Sequence, residues 1–585
     1  MPFLLMPLLL PTQAAMAASP LSSAQQSIAS FRAVVPWKRV FKAGLVVWSV
    51  SSLISNYRVK KRQAILATSE WRRYALYPAA RGRAIMWLMM QQIALLLASK
   101  VVRFRRSALR QYAGTQFADS LLKLGPLYIK LGQIVSCRKN LLGPEWIDAM
   151  ATLQDKVPAQ TGQDALDLAY STLKGGKEEF EEIFSDFDAT PLAAASLGQV
   201  HKATLRKGNV RVAVKLQRPF LKKIYDQDLE LLTTIAKWMD KIPSAQKNVG
   251  GVASSWTKIF QDAEEILYRE IDYRDEGNNA MQFANDFGLT LGGNAITPTA
   301  KARNNEALPS AADWIRTPYV FQNVSNERLL VMEYVPSIKI TDTEKLQAAN
   351  VTDTDRIDLA DALARAYLRQ FCNNLFFSTD PHPGNLGVEI LPDGKPRLVF
   401  YDFGQAATLT QGQADGILKI LEAIIDMDVE RSVEAFIQMG VLVDGADLDV
   451  VRAKVADNYR TGKVKANRKQ LRRKGYKFKA AEEETKASET DESTANGIAS
   501  GSNATATDGE VMSFFTLPAE YAFVARAISQ LDGVGKGLDP DFDFISNAAP
   551  YIVEIKGADV YLKDEFQKFY KGAMKGLNNI RSKER

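Results

Sequence analysis

Two β-hairpins constrain the fold of this chain more than any other feature. In the first, within 197–217, valines alternate with polar residues after a turn signal at 207–209. The second joins 387–390 to 397–401 through a Pro-Asp-Gly turn, and an apolar run at 328–335 reads as a buried strand. Most of the surrounding sequence has helical periodicity. We therefore predict an α+β fold.

Four polar residues stand at fixed places around these hairpins. Lys215 ends V-A-V-K on a strand, Asp380 and Asn385 are five positions apart, and Asp402 opens D-F-G after the second hairpin. A strand lysine of this kind pairs with the α- and β-phosphates of ATP. The D-x-x-x-x-N pair orients an attacking hydroxyl and holds Mg²⁺, and the Asp of D-F-G holds Mg²⁺ that bridges the phosphates. We predict catalytic Asp380 and Lys215, with Asn385 and Asp402 as metal ligands.

Lys215 also requires a carboxylate partner from a helix. Glu270, Asp272 and Glu276 are the candidates in the stretch Leu267 to Phe283. On a single helix, Asp272 and Glu276 are four apart and share a face, whereas Glu270 points elsewhere. The spacing alone leaves the choice open.

Together with the sequence upstream, these motifs resemble the UbiB family of atypical protein kinases, also called the aarF-domain kinases. Lys130-Leu131-Gly132-Gln133 matches the family's K-x-G-Q, and Glu270-Ile271-Asp272 matches its E-x-D. The resemblance covers about 85–460, resumes at 514–555, and is closer to the bacterial and plastid branch than to the mitochondrial one.

This resemblance implies a two-lobed protein-kinase-like fold with an added N-terminal helical subdomain, whose K-x-G-Q helices cover the cleft. It favours Glu276 as the partner of Lys215. It also implies regulatory roles for four residues that engage one another, namely Lys130, Gln133, Glu270 and Asp272.

The nucleotide-binding residues implied by the resemblance centre on an alanine-rich loop, where an ordinary kinase has glycines. Besides Lys215 and Glu276, the expected contacts of ATP or ADP are Ala193, Ala194, Ala195, Ser196 and Glu333. Alanine restricts the backbone more than glycine does, so the loop should hold phosphates differently. The family associates this loop with altered nucleotide preference and suppressed protein phosphorylation. One departure precedes Asp380: Ser378 and Thr379 stand where the family commonly has a histidine and a small residue.

The chain is predicted to divide into seven parts. These are a targeting leader at 1–69, a basic membrane-associating helical region at 70–118, a K-x-G-Q extension at 119–190, an N-lobe at 191–340 with a loop insertion at 291–312, a C-lobe at 341–460, a low-complexity insertion at 461–512, and C-terminal helices at 513–585 that complete the C-lobe and end in a tail.

Basic charge is concentrated near the N-terminus. Residues 1–118 contain 17 Lys and Arg and one acid, whereas the rest of the chain contains 57 Lys and Arg and 66 acids. A nucleic-acid-binding protein would carry basic surface on its folded domain, so nucleic acid is not an expected partner. Residues 1–69 lack acids and are rich in Ser and Ala, which is typical of an organelle transit peptide. The apolar start adds a signal-like core, as in a bipartite plastid signal; a disordered terminus is the alternative.

The stretch Ala84 to Ser99 is the most lipid-like segment. It has 16 residues, two of them Gln, between basic flanks. It is shorter than the roughly 20 residues of a spanning helix. A helix on an anionic membrane surface and a helix buried against the following domain are equally consistent with it. The expected partners are membrane lipids, through peripheral association or one short anchor. The family resemblance adds prenyl-lipid or quinone biosynthetic proteins as expected partners.

The leading functional hypothesis is an atypical Mg-dependent kinase-like ATPase at an organelle membrane, and the family resemblance implies that it supports isoprenoid quinone or prenyl-lipid metabolism. A plastid location, at the thylakoid or plastoglobule, is favoured, with the mitochondrion as the alternative. A nucleotide-switched scaffold with little phosphoryl transfer is the second hypothesis. A small-molecule phosphotransferase of the aminoglycoside-kinase type shares D-x-x-x-x-N but does not account for K-x-G-Q or the alanine-rich loop.

Overall fold

The computed structural model describes the chain in seven stretches and a few single positions. The stretches are 106–136, 144–151, 159–195, 197–241, 267–461, 514–515 and 518–564, and the single positions lie within 82–95 and 257–264 and at 566. The predicted leader at 1–69, nearly all of the predicted insertion at 461–512, and Ser196 lie outside the described residues. The seven predicted domain boundaries stay predictions.

Helices account for most of the regular structure in these stretches. They are α1 (Arg106–Leu124), α2 (Pro126–Ser136), α3 (Pro144–Ala151), α4 (Gln163–Tyr170), α5 (Gly176–Ile183), α6 (Leu221–Met239), α7 (Tyr273–Phe287), α8 (Thr343–Ala348), α9 (Asp353–Arg369), α10 (Gln411–Asp426), α11 (Val429–Met439), α12 (Leu448–Arg460), α13 (Ala519–Leu538), α14 (Phe544–Ala548) and α15 (Ile552–Lys556).

The strands are short and fall into three sheets. They are β1 (Phe184–Phe187), β2 (Ala193–Ala194), β3 (Gly198–Leu205), β4 (Arg211–Gln217), β5 (Ile315–Arg316), β6 (Leu329–Glu333), β7 (Ile338–Lys339), β8 (Phe376–Ser378), β9 (Leu386–Ile390), β10 (Pro396–Phe400) and β11 (Ala406–Thr408).

The chain separates into two compact units. The smaller comprises Met1–Ser136, Gly143–Leu153 and Lys222–Leu231, and the larger comprises Cys137–Leu142, Gln154–Leu221 and Leu232–Arg585.

The smaller unit contains helices α1, α2 and α3. Arg110 of α1 pairs with Glu145 of α3 at 3.1 Å, and the Trp146 indole donates to the Gln92 side chain at 3.3 Å. Several positions within 82–95 are helical, as the apolar stretch predicts. Among the described residues, no helix has the length and apolar character needed to cross a membrane.

The N-lobe of the larger unit is an antiparallel sheet in the order β1-β3-β4-β6, with β2 paired to β3. Alternation along β4 sends Val212, Val214 and Leu216 into a buried cluster beside helices α4 and α5. Lys215, between two of them, points to the opposite face. The structure confirms the hairpin predicted at 197–217 and the strand predicted at 328–335.

The C-lobe combines helices with a second sheet, β5-β10-β9-β7, and a small pair, β11-β8. Helix α9 begins at a capping box in which Thr352 and Asp355 satisfy each other's backbone N–H groups. It is buried along most of its length in the main core and continues into a π-helical turn, Gln370–Asn374. The hairpin predicted before D-F-G is confirmed as β9 and β10, and the architecture is the two-lobed α+β fold that the sequence predicts.

The predicted insertion at 291–312 is a loop with one 3₁₀ turn, yet its backbone is anchored. Its Gly292 N–H donates to the Glu333 carboxylate at 3.1 Å. Arg397 of β10 donates to the carbonyl oxygens of Gly293, at 3.1 Å, and Ala312, at 2.7 Å. The insertion therefore joins the end of β6 to the C-lobe sheet.

One expectation about helical geometry is wrong. The stretch 267–283 is not a single helix, because the chain leaves the helical conformation at Ile271 and Asp272 and α7 begins at Tyr273. Asp272 is the N-cap, and its carboxylate accepts the Arg274 N–H at 3.0 Å. Aspartate favours this position because it satisfies a helix N–H that has no partner in the helix. Asp272 and Glu276 therefore do not share a helical face.

Candidate active site

A buried ion pair between strand β4 and helix α7 is the centre of the site. The Lys215 ammonium lies 2.6 Å and 2.8 Å from the two carboxylate oxygens of Glu276. β4 presents the lysine, and the first turn of α7 presents the glutamate. Burial opposes the charge on Lys215, but Asp402 and Glu276 outweigh it and raise the pKa of Lys215 well above its usual value.

Asp402 reaches the same lysine from the C-lobe. Its Oδ2 lies 3.5 Å from Lys215 Nζ, and its Oδ1 accepts the Gly404 N–H at 2.8 Å. The neighbouring Phe403 is buried against Phe283 of α7, with ring centroids 4.8 Å apart. The Asn279 side chain donates to the Phe403 carbonyl at 2.9 Å. Helix α7 therefore positions D-F-G as well as the partner of Lys215.

Asp380 and Asn385 lie on the loop between β8 and β9. The Asn385 Nδ2 donates to the Asp380 carbonyl oxygen at 3.0 Å. The other amide atom of Asn385, Oδ1, is an oxygen and is therefore suited to bind a metal ion. Behind the loop, the Ser378 N–H donates to Gln370 of the π-helical turn at 3.0 Å, and the Thr379 N–H donates to the Gln405 carbonyl at 3.0 Å. Backbone contacts therefore brace the loop where the sequence departs from the family pattern.

The donor set fits Mg²⁺. A carboxylate from Asp402 and an amide oxygen from Asn385 are hard oxygen ligands, and Mg²⁺ bound with a nucleotide takes one or two protein ligands and completes its shell with phosphates and water. Bound there, Mg²⁺ would neutralise charge on the phosphates.

Two residues that the sequence did not indicate contact Asp380 from helix α13. Arg526 donates to Asp380 Oδ1 at 3.1 Å and Gln530 donates to the same oxygen at 2.8 Å. Arg526 also donates to the Gln405 side chain at 3.3 Å. The sequence pattern that could have indicated them is an Arg and a Gln four positions apart on one helix. Each directly precedes a buried apolar residue, Ala527 or Leu531.

The alanine-rich loop forms a tight hairpin at the end of the N-lobe sheet. Ala193 pairs with Val200 and Ala194 with Gln199, and the Ala195 N–H donates to the Gly198 carbonyl at 2.8 Å. The loop occupies the place of a phosphate-covering loop because it leads into β3, which pairs with the Lys215 strand.

Glu333, predicted to bind ATP, is buried, and its carboxylate accepts hydrogen bonds from other residues of the protein. Arg316 donates to it at 2.7 Å, and the Gly292 N–H donates to the same oxygen at 3.1 Å. Arg316 also pairs with Glu389. These contacts engage the Glu333 carboxylate, and the predicted contact of Glu333 with a nucleotide stays a prediction.

The predicted regulatory residues are divided between the two units. Lys130 is half-buried on α2 of the smaller unit, and the side chain of Gln133 lies outside the described part of the chain. In the larger unit Glu270 is buried, and Asp272 pairs with Arg274, which lowers the pKa of that carboxyl. Contact between the K-x-G-Q and E-x-D residues stays a prediction.

Comparisons with known proteins point to the same family. Residues 152–436 match the ABC1 atypical kinase-like domain. The chain is 34% identical over 480 residues to "Protein ACTIVITY OF BC1 COMPLEX KINASE 8, chloroplastic" of Arabidopsis thaliana, covering 80% of this chain and 58% of that protein. It is 31% identical over 460 residues to the uncharacterized protein sll0095 of Synechocystis, covering 77% and 69%.

A bacterial relative extends the similarity. The chain is 32% identical over 337 residues to "Probable protein kinase UbiB" of Pseudomonas fluorescens, covering 58% of this chain and 57% of that protein. The chain thus spans less than two thirds of the length of both the Arabidopsis and the Pseudomonas relative. From the matching domain, these relatives and the kinase-like arrangement of Lys215, Glu276 and Asp402, we conclude that the chain belongs to the ABC1/UbiB family of atypical kinase-like proteins.

Proposed function

We propose that this protein is an ATP-binding, Mg-dependent kinase-like ATPase that supports isoprenoid quinone or prenyl-lipid metabolism at an organelle membrane. The observation that carries the proposal is the Lys215–Glu276 pair, at 2.6 Å, with Asp402 facing the same ammonium at 3.5 Å. This set of charges suits a nucleotide phosphate chain with its metal, since the lysine balances phosphate charge and the aspartate holds the cation.

The chemistry assigned to this chain's own residues is positioning. Lys215 holds the α- and β-phosphates, and Asp402 and Asn385 hold the metal. Asp380 orients a water or hydroxyl, whose oxygen attacks the γ-phosphorus while the bond to the β,γ-bridging oxygen breaks. ADP leaves with that oxygen, and the proton of the nucleophile passes to Asp380 or solvent.

The proposed setting is a plastid membrane, at the thylakoid or plastoglobule. It is supported by the word "chloroplastic" in the name of an Arabidopsis relative and by the acid-free composition of residues 1–69. The basic region that follows is suited to anionic lipid surfaces. The quinone or prenyl-lipid role is what membership of the UbiB family implies, and a relative named as a probable protein kinase UbiB supports that membership.

The test is ATP hydrolysis by the purified full chain, with and without anionic liposomes, beside Asp402→Asn. We expect turnover that rises with liposomes and is abolished in the variant, because the amide no longer carries the charge that holds Mg²⁺. Unchanged turnover in Asp402→Asn would remove the basis of the site assignment.

A nucleotide-switched scaffold is the second candidate. It is favoured by the contacts of Asp380, because Arg526 and Gln530 already occupy one of its carboxylate oxygens. Nucleotide binding without turnover, in the presence and absence of liposomes, would select the scaffold.

A further inference from the structure

A buried arginine tethers the alanine-rich turn to the strand that carries the catalytic lysine. Arg218 follows β4 directly, and only 4% of its surface is exposed. Its Nε and Nη2 donate to the Ala195 carbonyl at 3.3 Å and 3.2 Å, respectively. Its own backbone N–H donates to the Leu197 carbonyl at 2.9 Å. The turn is thus held at two carbonyl groups by one residue.

The tethered turn lies just past Lys215 in the sheet. Val200 is opposite Lys215, and Gly198 is opposite Gln217, one residue before Arg218. In the proposed complex, this hairpin would cover the phosphates of ATP. The α- and β-phosphates would lie at Lys215, and the terminal phosphate would then lie at the turn. Lys215 engages the phosphates that ATP and ADP share. The conformation of the turn therefore bears most directly on the phosphate that only ATP has.

The contact is of a kind that few side chains can make. A guanidinium places two N–H groups on one carbonyl oxygen with a fixed planar geometry. A lysine ammonium is a compact point charge whose three N–H donors rotate and have no such fixed geometry. Burial lowers the pKa of Arg218 to about 10, so the guanidinium is charged at neutral pH. Without it, the carbonyl loses two charge-assisted donors and the turn is free to change its backbone conformation.

We propose that Arg218 is a positioning residue that fixes the alanine-rich turn and so sets the relative affinity of the site for nucleoside di- and triphosphates. This inference rests on the proposed function, because it needs a nucleotide in the cleft. Under this inference, the preference for ADP or ATP depends on the hydrogen bonds of Arg218 as well as on the alanines of the turn.

The experiment measures the dissociation constants of Mg-ADP and Mg-ATP for the full chain by calorimetry. The variants are Arg218→Met, which keeps the length but has no donors, and Arg218→Lys. Arg206→Met is the matched control, because Arg206 donates to the Glu181 carbonyl at 2.8 Å and 3.0 Å at the other end of β3. We expect the ADP-to-ATP affinity ratio to change about fivefold in Arg218→Met, by less in Arg218→Lys, and not in Arg206→Met.

A double-variant cycle with Ala194→Gly shows whether both changes act on the same turn. Either change alone frees the turn, so their effects on the ratio should be less than additive together, whereas Ala194→Gly and Arg206→Met should add. If Arg218→Met fails to fold, the Arg218→Lys cycle gives the same comparison.

Two results overturn the inference. One is an unchanged ratio in Arg218→Met, or in Arg218→Lys if Arg218→Met fails to fold, alongside tight nucleotide binding by the wild type. The other is full additivity with Ala194→Gly. Failure of the wild type to bind either nucleotide is a different result, because it contradicts the proposed function itself.

Discussion

Lys215 keeps its charge in a buried position because two carboxylates face it. Asp402 and Glu276 hold its pKa above the usual value against the effect of burial. Since the folded-state pKa is raised, the ion pair contributes its full stability below the unfolded-state pKa of about 10.4 and loses it only as the pH rises through the higher folded-state value. The lysine is therefore a fixed cation over the physiological range.

This predicts that ATP affinity is independent of Lys215 titration between about pH 7 and about pH 9. The measurement is the dissociation constant of Mg-ATP across that range, for the wild type and for Glu276→Gln, which removes one of the two carboxylate charges. An inflection in the wild type that moves to lower pH in Glu276→Gln would contradict it.

Gly198 is the second residue on which the site depends. A Cβ at this position would overlap the Leu216 carbonyl oxygen and the Tyr273 hydroxyl. Both are buried, and one is backbone, so neither can move away cheaply. The absence of a side chain allows β3 to approach the start of α7, the helix that carries Glu276.

We predict that Gly198→Ala lowers the free energy of unfolding by about 1–3 kcal/mol, as overpacking in a core does. Gly412→Ala is the control, because an added Cβ there meets nothing within 4 Å, and it should be neutral or slightly stabilising. Denaturant unfolding of both variants tests this. Equal stability of Gly198→Ala and the wild type would show that β3 and α7 are not held at this distance.

At the scale of the element, helix α13 contacts the loop of Asp380 from far along the chain. It packs on α9 in the main core and directs Arg526 and Gln530 to one oxygen of Asp380. The other oxygen, Oδ2, lies 4.0 Å from His382 Nε2 and is the one left for the proposed orientation of a nucleophile.

We predict that Arg526→Met lowers ATP turnover about tenfold with little change in ATP affinity, because it misorients Asp380 but does not touch Lys215. Lys536→Met on the same helix is the control, since Lys536 is exposed and pairs only locally with Asp532. The comparison uses kcat and KM for ATP. A rise in turnover in Arg526→Met would mean that the contact restrains Asp380, and it would favour the scaffold.

On the scale of the whole molecule, the two insertions differ in how they meet the fold. The one at 291–312 supplies backbone partners for buried Glu333 and Arg397. The residues that follow the other are held without it, because the Val443 N–H, before α12, donates to the Phe514 carbonyl at 2.9 Å. The first is therefore part of the structural framework behind the cleft.

Replacing 463–510 with a Gly/Ser linker of about 10 residues should preserve ATP affinity and stabilise the fold by about 1 kcal/mol, because a shorter loop costs less entropy to close. Replacing 294–310 with a similar linker should lower the free energy of unfolding, because the contacts that these residues make with the rest of the fold are then lost. Thermal unfolding and ATP binding of both variants test the contrast. Loss of ATP binding in the first would give that segment a role at the site.

The sequence by itself determined the family motifs, the two hairpins and the order of the site residues. These are local properties: alternation along β4, the turn at Lys207-Gly208-Asn209, and the fixed spacing of Asp380 and Asn385. The wrong single helix at 267–283 arose from the same kind of information, since helical period alone did not reveal that Asp272 caps a new helix.

Only the tertiary structure decided which groups meet. It paired Lys215 with Glu276, 61 residues away, where the spacing of the acids left the choice open and the family resemblance favoured Glu276. It also turned Glu333 toward Arg316 and brought Arg526 to Asp380, 146 residues apart. Such choices depend on how helices and sheets pack and on which buried charges find partners, and no local pattern encodes that. The periodicity of the chain sets which face of each element is polar, and packing sets what that face touches.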